Sequence, residues 1–203
     1  MSKSKAYHKQ IGRYLQGKDT NQPHLLEAVF CDDAVLKMRV LSDSIDFPSE
    51  VVGLKDITHT LCAGFNERFE HIRTLCFLDT VLRSNNLMNC RWLVGMVAKE
   101  TGALHCGYGE YHWTFEKDYS ALSQHQVKKL TIVIDDMVVM PSTDNSASDS
   151  SASDSSASDH EAILNWLASC TYPWAISQDV LATMPEIASL AGIKKGLLQP
   201  VLS

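Results

Sequence analysis

At about Glu70 the apolar residues of this chain change their spacing, and that change of period constrains the fold more than any other feature. Before it, Tyr7, Ile11, Tyr14 and Leu15 recur at helical intervals; Leu25, Leu26, Val29 and Phe30 then follow Pro23, a residue suited to a helix start. A strand-like run over Ala34–Leu41 comes next. A third helix carries Ile57, Leu61 and Phe65, with Asp56 behind Gly53 in its capping region. After Glu70 the period falls to two, and strands are predicted at about 71–82, 87–98, 103–116 and 127–140. Asn85-Asn86 and Thr101-Gly102 suit the tight turns of hairpins. Helices first and antiparallel strands after define an α+β chain with its helices gathered on one face of the sheet.

A second feature divides the chain. From Ser146 to Asp159 it repeats Ser-Ala-Ser-Asp-Ser, a composition too poor in apolar surface to offset the entropy of ordering. The expected map is a domain over 1–142, a disordered linker over 143–159 and a partly helical tail over 160–203. Ile163, Trp166, Leu167, Val180, Leu190 and Ile193 are too many apolar side chains to leave in water. The tail should therefore dock on its own domain, on a second copy or on a protein partner.

Most of the net charge of −6 comes from Asp144, Asp149, Asp154 and Asp159 in and just before the repeat, since residues 1–140 carry 16 Lys and Arg against 17 Asp and Glu. No basic face for a nucleic acid is predicted, and Lys3, Lys5, Lys9, Arg13 and Lys18 read as the solvated side of the first helix. No apolar segment follows Met1 and none is long enough to span a membrane. The six cysteines lack metal or disulfide spacing and lie partly in apolar runs. These observations predict a cytoplasmic protein without a metal site.

The segments IGRYLQGKD, LLEAVFCDDAVLKM and VVGLKDI, with GEYHWTFEK further on, resemble the nuclear transport factor 2-like superfamily over roughly residues 5–140. That superfamily includes ketosteroid isomerases, scytalone dehydratase and SnoaL-like cyclases. The resemblance implies a cone: a curved antiparallel sheet packed on three N-terminal helices around one apolar pocket, commonly in a homodimer. It also implies roles. Tyr14 matches the helix-one tyrosine that hydrogen-bonds a developing enolate, and Tyr111 matches the second oxyanion donor. Met38 stands where the isomerases have their general base, and Trp113 where SnoaL-like members often carry Asp. A replacement base is offered by His71, because an imidazole titrates near neutrality.

Alternation places His71, Arg73, Leu75, Phe77 and Asp79 on one face of their strand, and Gly107, Gly109, Tyr111, Trp113 and Phe115 on one face of theirs. The expected catalytic set is thus His71, Tyr14 and Tyr111, with Met38, Trp113, Arg73, Phe115 and Trp92 contacting ligand. Tyr108, Glu110, His112 and Thr114 fall on the outer face, where a homodimer is expected to form. Two functions fit. One is a cofactor-independent isomerase, dehydratase or cyclase using acid–base chemistry on a small apolar carbonyl or hydroxyl compound. The other is a non-catalytic ligand-binding or dimerisation module.

Overall fold

The computed structural model describes residues 3–41, 48–117, 125–142 and 150–199. Helix α1 (Lys3–Asp19) buries Tyr7, Ile11, Tyr14 and Leu15 along one stripe. Helix α2 (Pro23–Glu27) starts on its proline and turns back against α1. The two pack closely at Gly17, where an added Cβ would stand 2.4 Å from a methyl of Leu26. Strands β1 (Phe30–Val40) and β2 (Glu50–Val52) follow. The third helical segment opens at Gly53 (φ +95°), not at Asp56, and runs as α3 (Leu54–Thr58), a π turn (His59–Ala63) and α4 (Gly64–Arg68).

The strands then run as β3 (Phe69–Phe77), β4 (Leu82–Ser84), β5 (Leu87–Ala98), β6 (Leu104–Lys117) and β7 (His125–Met140). The hairpin turns fall where expected, with Asn85 at φ +51° and Gly102 at φ +67°. The sheet order is β2-β1-β7-β6-β5-β3-β8, with β1 parallel to β7, the β3–β7 neighbours antiparallel and the short β4 beside β5. Its inner face, including Met88, Trp92, Tyr111, Trp113 and Phe115, packs on α1–α4. An extra residue in β7 opposite Tyr108 and Gly109 bends the sheet locally.

The other face is covered as well, which departs from the expectation of helices on one side only. Helices α5 (Ser150–Ser169), α6 (Ser177–Ala182) and α7 (Ala191–Leu197), with the two-residue strand β8 (Trp174–Ala175), lie across the outer face. Ile163, Leu167, Val180, Ile193 and Leu197 bury there against Leu75, Phe77, Leu93 and Leu104. Gly95 leaves room for Leu167, and Gly196 for the Tyr108 phenol, at distances near 2 Å from any added Cβ. Part of the expected linker, from Ser150 to Asp159, is helical and continues into the anchored turns of α5. Extending a helix from a docked segment costs far less than nucleating one, so composition alone misjudges these residues. Residues 143–149 of that linker lie outside the described residues. Among the described residues no helix is long and apolar enough to cross a membrane, and all six cysteines are free thiols.

Candidate functional site

Between α1, the helical segment 54–68 and the inner face of the sheet lies a cavity of about 50 Å³. Its walls are apolar, and three of them are methionines: Met38 from β1, Met96 from β5 and Met137 from β7. Methionine is unbranched and adapts its shape, so this lining yields readily to an occupant. Gly107 makes room for Met137, since an added Cβ would lie 2.5 Å from its terminal methyl, and at Gly109 an added Cβ would meet the Val133 carbonyl oxygen at 1.9 Å and the Trp92 ring at 2.9 Å.

Two phenols in contact with each other line the cavity. Tyr14 from α1 meets Tyr111 from β6 edge-on, with ring centroids 5.8 Å apart at 90°, and Trp92 stacks on Tyr111 at 5.5 Å. Burial drives the pKa of both phenols well above the ordinary value. Both therefore stay protonated and act as donors. They come close enough to influence each other's ionisation but not in hydrogen-bonding geometry, and Tyr14 Oη is buried without a partner. The indole Nε1 of Trp92 is buried and unpartnered too. Buried donors are nearly always satisfied, so two orphans on one cavity wall call for an acceptor.

At one end of the cavity sits a buried ion pair that sequence reading missed. Lys18 Nζ donates to Asp19 Oδ1 at 2.5 Å and to Thr74 Oγ1 at 2.8 Å. The Thr74 amide donates to Asp19 Oδ2 at 2.7 Å and its hydroxyl to Asp19 Oδ1 at 3.0 Å. The Lys18 and Asp19 side chains are 6% and 3% exposed. Lys18 was expected on the solvated side of α1. Its position four residues after Tyr14 puts it on the same buried stripe, the spacing that could have revealed it. Lys18, Thr74 and Phe65 all line the cavity, and Nζ lies 4.9 Å from the Phe65 ring centre.

The structure brings together Tyr14, Tyr111, Met38 and Trp92. It does not bring His71 to them. His71 is exposed at φ +51° and stands outside the cavity. Two residues of β3, 71 and 72, oppose one of β5 between the pairs Glu70–Val97 and Arg73–Gly95; beyond this bulge Ile72, Thr74 and Cys76 face inward, while Arg73, Leu75 and Phe77, the residues grouped with His71 by alternation, face the outer helices. Arg73 is on the outer face, donating to the carbonyls of Leu167 (2.8 Å), Ala168 (3.3 Å) and Cys170 (2.9 Å), so it holds α5 and not a ligand. Trp113 is fully buried behind Tyr14, its ring 5.1 Å away, and Phe115 stacks on Tyr7 at 3.9 Å; both are core residues beyond the cavity wall. Glu110 Oε2 accepts from His112 Nε2 at 2.9 Å on the outer face, and Asp33 pairs with Lys128 at the surface. Among the described residues no group of three or more His, Cys, Asp or Glu could hold a metal ion.

No family model and no curated protein matches the sequence. Solved structures do match in shape. A hexachlorocyclohexane dehydrochlorinase, LinA type 2, superposes with a TM-score of 0.54 at 12% identity, over 68% of this chain and 88% of that one. A scytalone dehydratase-like protein of Novosphingobium aromaticivorans does so at 0.50 and 18%, over 66% and 85%. A nuclear transport factor 2-like superfamily protein of Salmonella enterica gives 0.50 and 14%, over 64% and 92%. The chain has the nuclear transport factor 2-like fold. At these identities the likeness speaks for the fold, and function has to be argued from the site.

Proposed function

We propose that this chain is a small-molecule pocket protein that takes up a compact, largely apolar compound bearing one oxygen acceptor. The observation that carries the reading is Tyr14 Oη, buried and unpartnered on the wall of an apolar cavity. An entering carbonyl, ether or hydroxyl oxygen satisfies it, and the Trp92 indole offers a second donor. Donors without a free base suit binding better than proton abstraction. The one carboxylate at the cavity end, Asp19, already accepts from Lys18 and twice from Thr74.

An acid–base enzyme of the isomerase, dehydratase or cyclase type is the second reading. Two phenols held protonated are suited to a developing oxyanion, and structural neighbours carry the names dehydrochlorinase and scytalone dehydratase. With His71 outside the cavity, that reading needs Asp19 to leave its partners. A thermal-shift and NMR screen of compact ketones, aldehydes, cyclic ethers and alcohols tests both. Saturable binders that shift Tyr14 and Trp92 resonances support the pocket, and product formation would promote the enzyme. Binders that leave those resonances unmoved would sink the assignment of the site.

A further inference from the structure

The charge arrangement at the cavity end goes further than the presence of a pocket. Lys18 and Asp19 are neighbours in sequence on the last turn of α1, and both are buried. Their charges are opposite and 2.5 Å apart, so the cluster presents little net charge to whatever enters. Yet it does present a donor. Of the three ammonium protons of Lys18, two go to Asp19 and Thr74. The third has no hydrogen bond among the described residues, and Lys18 lines the cavity with its Nζ 4.9 Å from the Phe65 ring centre.

An anionic ligand head would have to give up its water in a largely apolar cavity, and Lys18, the one cation among its described lining residues, is already neutralised by Asp19. It would also stand close to the Asp19 carboxylate. Desolvation and repulsion both act against it. A neutral carbonyl meets neither penalty: its oxygen accepts from the remaining Lys18 proton or from Tyr14, one turn away on the same helix face.

We infer that the Lys18–Asp19 pair is a selectivity device that admits neutral carbonyl compounds and excludes the corresponding carboxylates. The inference rests on the proposed ligand pocket and adds the chemical class. Asp19 acts through Lys18, as a positioning and charge-balancing residue, while Lys18 and Tyr14 touch the ligand.

The test uses two probes of the same shape, 3-methyl-2-butanone and isobutyrate, titrated into the full chain with NMR and thermal shift as readouts. For the wild type, the ketone should bind more tightly than isobutyrate by about ten-fold or more, the scale of one charge-assisted hydrogen bond. In Asp19→Asn the ammonium loses its counter-ion, and isobutyrate should now replace it. The preference should reverse, with isobutyrate raising the melting temperature of the variant and not of the wild type. A Lys18→Gln/Asp19→Asn double variant carries no buried charge and serves if the single variant does not fold; its ketone affinity should fall about five- to ten-fold through loss of the ammonium donor. Equal binding of the two probes to wild type, an unchanged preference in Asp19→Asn, or full ketone affinity in the double variant would each overturn the inference while leaving the pocket intact. Failure of both probes to bind wild type and the variants would overturn the pocket reading and this inference together.

Discussion

Tyr14 is held in a place where its unpartnered hydroxyl costs the fold stability. Its phenol is fully buried and unpartnered, and such a group is typically destabilising by about 1–3 kcal/mol. Tyr14→Phe should therefore raise the stability of the ligand-free protein by about 1 kcal/mol in urea unfolding while weakening ketone binding about five- to ten-fold. A loss on both counts would show the hydroxyl to be structural. His105 supplies a pH dependence. Burial, aided by the Arg68 charge, holds its pKa below the ordinary value, and its Nδ1 is also unpartnered. The unfolded chain then binds the proton more readily than the fold does, so this contribution is complete above about pH 6.5 and is lost as the pH falls below it. His105→Gln should flatten the decline in stability just below pH 6.5; an unchanged decline would place its source elsewhere. Tyr14 on a helical stripe and Tyr111 on an alternating strand lie on the faces their periods expect, and Met38 was placed by the family resemblance; all three line the cavity together with Trp92. His71 was misread because alternation groups it with Arg73, Leu75 and Phe77 without saying which side of the sheet that group faces, and Lys18 because a charged side chain on a basic helix looks solvated until its partner is known.

Two arginines on neighbouring strands fasten the outer helices by their C-terminal ends, where helix carbonyls lack internal partners. Arg73 of β3 serves α5. Arg91 of β5, only 5% exposed, donates to the carbonyls of Gly196 (2.9 Å), Leu197 (3.0 Å) and Gln199 (2.8 Å) at the end of α7. Arg91→Leu leaves those carbonyls without a donor in a closed environment and should cost about 2–4 kcal/mol. Hydrogen exchange should rise across α7 while the amides of α1 keep their protection. Equal loss in both helices would mean that the outer layer and the pocket layer unfold as one unit. The four long strands and the three inner helical segments were readable because each declares its own periodicity. The seat of the outer helices was not, since an amphipathic stripe states that it will be buried and not against what.

At the scale of the whole molecule, the sheet has a layer of helices on each side, and the outer one occupies the face where a second copy was expected. Tyr108 lies under Gly196, while Glu110, His112 and Thr114 remain partly exposed beside it. Removing residues 143–203 would uncover Leu75, Phe77, Leu93, Leu104 and Cys106 together. An apolar patch of that kind seeks a partner. Light scattering should find the full chain at its own 22.6 kDa and the 1–142 fragment at twice its own mass or above. A dimeric full chain would instead place the self-association surface on the exposed residues beside α7. The cavity also bears on how the protein answers pressure. Space that packed side chains keep from solvent is given up on unfolding, so hydrostatic pressure favours the unfolded chain in proportion. The 50 Å³ void corresponds to a contribution on the order of 30 mL/mol at most. A ligand that fills the void should make the protein harder to unfold by compression, beyond what its affinity alone provides at atmospheric pressure.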